Sequence, residues 1–158
     1  MADAIYVCQN TVFAATTGAK TVLNVIAGAN QPVQIVEWGI SLDGVSASAI
    51  PATVQLCQST QATAGTAGGS PPAIVQVTGR TIAAQFTAAH NYTAEPTALT
   101  VIEPIFVPQF NGVYARTYMP GTEPETDLSG GTVKALALRV NVTANVNVFA
   151  YMRVTIGA

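Results

Sequence analysis

The chain has 158 residues, of which 9% are charged and 49% hydrophobic; an ordinary soluble domain is about 25% charged, so the anomaly is missing charge and not excess apolar content. A net charge of −2 supplies no basic field for nucleic acid, and intrinsic disorder requires the opposite balance of charge and apolar residues. The most apolar run, LTVIEPIFVP, is broken by Glu103, Pro104 and Pro108, well short of the roughly 20 uninterrupted residues of a membrane helix.

The length suits one domain, since compact domains most often run to roughly 100–150 residues. The opening MADAIYVCQN carries an acid where a secretory signal carries Lys or Arg, and no apolar run follows. Synthesis in the cytoplasm is therefore expected. Residues 1–20, weakly charged and rich in Ala and Thr, read as an N-terminal arm, and 21–158 as a single β-sandwich domain.

Short β-prone runs follow one another along the chain: AIYVCQ, KTVLNVIA, VQIVEWGISL, ATVQLCQ, AIVQVT, ALTVIE, IFVPQ and GVYARTYM, each bounded by Gly, Pro, Asn or Ser. In VQIVEWGISL the spacing puts Val36, Trp38, Ile40 and Leu42 on one core face, closed by the turn pair Asp43-Gly44. Two stretches dense in Gly, Pro, Ser and Thr, residues 58–72 and 119–131, read as long loops. Only RTIAAQFTAAHNY, residues 80–92, is a helix candidate, with Ile82, Phe86 and Ala89 at helical spacing. No internal repeat is evident. The spacing of the runs predicts about eight to ten strands in an all-β antiparallel sandwich or jelly roll, with at most one short helix.

The closing stretch RVNVTANVNVFAYMRVTI and the residues before it alternate strictly. Leu136, Leu138, Val140, Val142, Val146, Val148, Met152, Val154 and Ile156 occupy even positions, with mostly polar residues between them. Period two means strand, and the length demands a turn, best placed at Thr143-Ala144-Asn145. A three-residue hairpin loop preserves the even parity, so the expected register pairs Val142 with Val146.

No catalytic constellation stands out. His90 is the only histidine, with no GxSxG elbow to accompany it. GTAGGS, residues 65–70, lacks the GK[ST] ending that holds phosphate. Glu123, Glu125 and Asp127 alternate along a loop without EF-hand spacing and read as a solvated acidic loop. Cys8 and Cys57 form no CxxC pair, and two separate buried thiols are expected, with a disulfide as the alternative. The sequons at Asn91 and Asn141 are read as chance. A non-enzymatic protein with no catalytic residue, metal or cofactor is expected.

The functional signal is distributed. A surface of Thr, Asn, Gln and Ala tolerates close packing without the cost of burying charge, and interface cores are depleted in Lys, Glu and Asp. That composition predicts a homo-oligomer or a subunit of a larger assembly.

Two segments, SLDGVSASAIPATVQLCQST (residues 41–60) and FTAAHNYTAEPTALTVIEPIFVPQFNG (residues 86–112), together with the closing strands, resemble a group of small β-rich virion structural proteins of tailed bacteriophages. The resemblance implies a capsid decoration, or cement, protein with a jelly-roll or sandwich fold. It would cluster as a trimer or other symmetric oligomer on the virion capsid surface, with copies of itself and the major capsid protein as partners, and no nucleic acid or membrane. The alternatives are a tail or adsorption component, or a carbohydrate-binding β-sandwich in which Trp38, Tyr92, Tyr114 and Tyr118 stack on sugars.

Overall fold

The computed structural model describes residues 4–44, 50–60, 63–79, 81–126 and 134–156, none of which is helical. Eleven strands account for most of them: β1 (Ile5–Gln9), β2 (Phe13–Ala15), β3 (Gly18–Ala27), β4 (Val33–Gly44), β5 (Ala52–Ser59), β6 (Val75–Thr78), β7 (Phe86–His90), β8 (Leu99–Val107), β9 (Gly112–Thr117), β10 (Ala135–Val142) and β11 (Val146–Ile156). One sheet has the order β6-β1-β11-β4-β9, with β2 also on β11, and the other β7-β3-β10-β5-β8. Every pairing is antiparallel.

The pairings β1 with β11, β3 with β10, β4 with β9 and β5 with β8 join early strands to late ones. They amount to a long antiparallel ribbon rolled up so that its strands divide between two facing sheets, which is a jelly roll. Strands β2, β6 and β7 are additions at its margins. The all-β sandwich expected from the runs is therefore the observed fold.

Alternation explains the core. Leu136, Leu138, Val140 and Val142 from β10 meet Val146, Val148, Ala150, Met152 and Val154 from β11 across the sandwich, all buried. The turn falls at residues 143–145 as expected, but the hairpin register that parity predicted, Val142 paired with Val146, is not formed, because β10 and β11 lie in different sheets. The connection is an arch over the sandwich and not a hairpin. A three-residue crossing points Val142 and Val146 into the same core from opposite sides, so parity alone does not separate the two geometries.

Three further expectations are corrected. In β4 the core face runs through Val33 and Ile35, then Trp38, Ile40 and Leu42, while Val36 is only half-buried. A bulge opposite Arg153 and Val154 inserts the extra residue that flips the parity. Within the helix candidate, Phe86–His90 is strand β7, because pairing along Leu23–Ala27 outweighs helical propensity; Arg80 lies outside the described residues. The proposed arm is, from Ile5 onward, built into the sandwich: β1 lies between β6 and β11, and β2 extends the β11 ladder. Tyr6, Cys8 and Ala15 are core residues.

The two runs ALTVIE and IFVPQ fuse into the single strand β8, with Pro104 inside it. A sheet edge tolerates the missing N–H. Of the stretch expected to be loop, Gln58 and Ser59 end β5 and residues 61 and 62 lie outside the described residues, while residues 63–72 fold back on the segment after β7, with Thr66 and Ala94 bridged and Thr93 N–H donating to the Thr66 carbonyl at 2.8 Å.

Candidate functional surface

At one end of the sandwich, a single side chain ties three connections together. Gln109, fully buried, donates from Nε2 to the Ile50 carbonyl at 2.6 Å and to Thr143 Oγ1 at 2.7 Å, and accepts from the Ala144 N–H at 3.3 Å. It thereby joins the β4–β5, β8–β9 and β10–β11 connections. The β8–β9 turn is tight: Asn111 has φ 50, and a Cβ on Gly112 would lie 2.0 Å from the Pro108 carbonyl. Only glycine fits there.

On this rigid tip sit large apolar side chains that face solvent. Phe106 is 73% exposed, Val113 77%, Phe110 54% and Ile50 59%. Phe106, opposite Thr53, lies on the outer face of the β5-containing sheet, whereas Val113, opposite Ser41, which in turn pairs with Phe149, lies on the outer face of the β4-containing sheet. Val12, itself exposed, lines a shallow hollow there with Ser41, Asp43, Asn147 and Phe149. Asp43 is the only formal charge in that hollow. Scattered exposed apolar residues are ordinary, and the grouping of these four near one braced end makes it the candidate interaction surface.

The charges on the flanking surfaces are tied up locally. Glu37 accepts from Tyr151 Oη at 2.6 Å and Thr117 Oγ1 at 3.3 Å, and faces Arg153 at 3.6 Å. The hydrogen bond to Glu37 is the main reason that the Tyr151 phenol is held above its ordinary value. Along the seam where edges β8 and β9 meet, Glu103 pairs with Arg116 at 3.4 Å and accepts from the Tyr118 hydroxyl. That hydroxyl in turn accepts from Trp38 Nε1 at 3.1 Å, and the Arg116 guanidinium lies 5.5 Å from the Tyr118 ring centroid. Burial, then the Glu103 carboxylate, pushes the Tyr118 phenol well above the usual tyrosine range. Glu103 likewise raises Arg116.

The residues singled out from sequence do not converge on a reaction centre. His90 ends β7, buried, with Nε2 2.9 Å from the Ser70 carbonyl. In the stretch 65–70, the Gly68 N–H donates to the His90 carbonyl at 3.2 Å, so this glycine amide serves the loop itself. Glu125 bonds Gln34, and Glu123 accepts from the Gly121 N–H; Asp127 lies outside the described residues. Among the described residues no group of three His, Cys, Asp or Glu is arranged to hold a metal.

Both cysteines are free and buried, Cys8 in the core and Cys57 on the other sheet. Burial pushes the Cys8 thiol up to about 12. Asn91 is buried, whereas Asn141 is exposed. Trp38 and Tyr92 are 0% and 2% exposed. Trp38 packs 5.4 Å from Tyr114 as part of the seam, and Tyr114 and Tyr118 are half-buried.

Sequence reasoning did not find the tip. Its signal was present in PQFNG, a Pro-to-Gly turn carrying an aromatic where turns are usually polar. No protein-family model, curated protein or solved structure matches this chain.

Proposed function

We propose that this protein is a non-enzymatic structural subunit of a tailed-phage virion, a decoration or cement protein that binds the outside of the capsid and clusters with copies of itself. The reading rests on the resemblance of residues 41–60 and 86–112 to small phage structural proteins. The observation that supports it is the apolar end of the sandwich: Ile50, Phe106, Phe110 and Val113, all more than half exposed, on or beside the connections braced by buried Gln109. A subunit that docks such a surface across neighbouring shell proteins stabilises whichever shell state it binds, by mass action and without turnover.

Immunogold electron microscopy of virions from the phage encoding the chain tests the assignment. Label over the head surface supports it; label on the tail assigns an adsorption role instead, and unlabelled particles overturn the virion reading. Sedimentation velocity tests the self-association, with a stable monomer at micromolar concentration counting against clustering.

A further inference from the structure

On the flank away from the β8–β9 seam, a cleft of about 450 Å³ opens between the end of β1 and residues 70–75. It exists because β6 borders β1 only from Ile5 to Val7. Beyond Val7 the two segments splay apart, and Gln9 pairs with Tyr151 of β11 on its other side. A length of sheet edge therefore faces the cleft.

His90 lines the cleft and is 5% exposed. Its Nε2 lies 2.9 Å from the Ser70 carbonyl, which can only accept, so when the ring holds a single proton Nε2 carries it. Nδ1 is then a lone-pair acceptor, buried and without a donor. Leaving such an acceptor unsatisfied costs about 1–3 kcal/mol, a cost relieved by any ligand that brings a donor.

The lining limits what that ligand is. Among the described lining residues there is no Lys, Arg, Asp or Glu, so phosphates, carboxylates and ammonium groups would be desolvated without compensation. Among the described lining residues there is no Phe, Tyr or Trp for a sugar to stack on. Val7, Pro71 and Val75 form apolar walls, with Gln9 and Thr11 supplying an amide and a hydroxyl. Apolar side chains alternating with backbone amides match this arrangement, and addition of an extended segment to an exposed sheet edge is a general mode of peptide recognition.

We propose that this cleft binds an uncharged, extended peptide segment of a partner protein, seated along the β1 edge beyond Val7 and donating a backbone N–H to Nδ1 of His90. Nδ1 is itself shielded, so the segment reaches it only as the side chains around it shift, with Nε2 keeping its bond to the Ser70 carbonyl. The site lies apart from the apolar tip. Its failure would leave the assembly reading intact, and a monomeric chain would still be able to show it.

Because the chain has one histidine, selective 15N-histidine labelling gives a single imidazole to follow by NMR in the full chain. The probe is an acetylated, amidated pentapeptide of alternating valine and threonine. The expected result is a saturable shift of the Nδ1 resonance, roughly tenfold or more weaker when a central lysine or glutamate is introduced. Val75→Asp, at a 54% exposed position, is expected to weaken it similarly while leaving the melting curve in place. An unmoved resonance at millimolar peptide overturns the proposal, as does equal binding of the charged peptides. A response to methyl glucoside in place of peptide also overturns it, and assigns the cleft to hydroxyl ligands.

Discussion

Asn10 and Asn91, 81 positions apart, are joined side chain to side chain by a hydrogen bond of 3.1 Å in the buried margin between the two sheets. Each also stands in for missing backbone pairing. Asn10 sits where the chain breaks between β1 and β2, its Nδ2 donating to the Val148 carbonyl at 3.2 Å and its Oδ1 accepting from the Ala150 N–H at 2.8 Å. Asn91, at φ 53, donates to the Thr11 carbonyl and Oγ1 at 3.1 and 2.9 Å.

Asn10→Ala therefore strands several buried partners at once. The expected loss is about 2–3 kcal/mol, above the roughly 1 kcal/mol of an ordinary hydrogen bond. Urea unfolding of Asn10→Ala, Asn91→Ala and the double variant checks this. A coupling energy of about 0.5 kcal/mol or more is expected for a contacting pair; strict additivity would show that the two side chains act independently.

The same pair bears on the sequon at Asn91. With its Nδ2 committed to Thr11 and the residue buried, the folded chain offers no access to an attached glycan. When the chain is expressed through a secretory route, glycan mapping should find folded protein modified at exposed Asn141 and not at Asn91. Occupancy of Asn91 in folded material would contradict its buried placement.

How far the sequence disclosed this structure can be traced residue by residue. The alternation through 136–156 identified the inward side chains of β10 and β11, because period two is a direct consequence of strand geometry. It left open whether residues 143–145 turn back within a sheet or arch between sheets, since both keep Val142 and Val146 inward. The bulge at Val36 was hidden because a bulge is set by pairing with β11 and not by local composition. Phe86 and Ala89 fit a helix locally, and only pairing with β3 makes them strand. The tip was invisible for a related reason: exposure of Phe106 and Val113 is a property of which strands end as edges.

Replacing Phe106 and Phe110 by Ser separates surface function from folding. Both are more than half exposed, so each change is expected to alter stability within about 0.5 kcal/mol. Self-association, read by sedimentation velocity, should fall. Leu138→Ala, in the core at 0% exposure, should instead cost about 2–5 kcal/mol. Loss of stability in the double-Ser variant comparable to that of Leu138→Ala would show that the tip is structural.

Thiol accessibility offers a compact check on both cysteines. With Cys8 raised to about 12 by burial, and Cys57 also buried and raised, neither forms appreciable thiolate near pH 8, and the thiolate is the reactive species. Native protein should react slowly with a chromogenic disulfide reagent, and urea-unfolded protein should release two thiols promptly. A titre of zero in the unfolded state would reveal a disulfide and overturn the free assignment.

The seam between β8 and β9 predicts an alkaline weak point. The Tyr118 phenol, ordinarily at 10.0, is raised by burial and by its bond to Glu103, so the folded chain holds that proton more tightly than the unfolded one. Stability from this group is fully present below pH 10 and declines as the pH rises from there toward the folded value, because the unfolded state is then the first to release the proton. Tyr151 adds to the same trend through its bond to Glu37, and Tyr92 through burial. Urea midpoints measured from neutral pH to above pH 10 should therefore fall, and the fall should be shallower in Tyr118→Phe. The slope is the diagnostic, since the variant also deprives Trp38 Nε1 of its acceptor and Glu103 of a donor, and so starts from a lower stability at neutral pH. An unchanged slope in the variant would mean that folding does not raise the Tyr118 phenol.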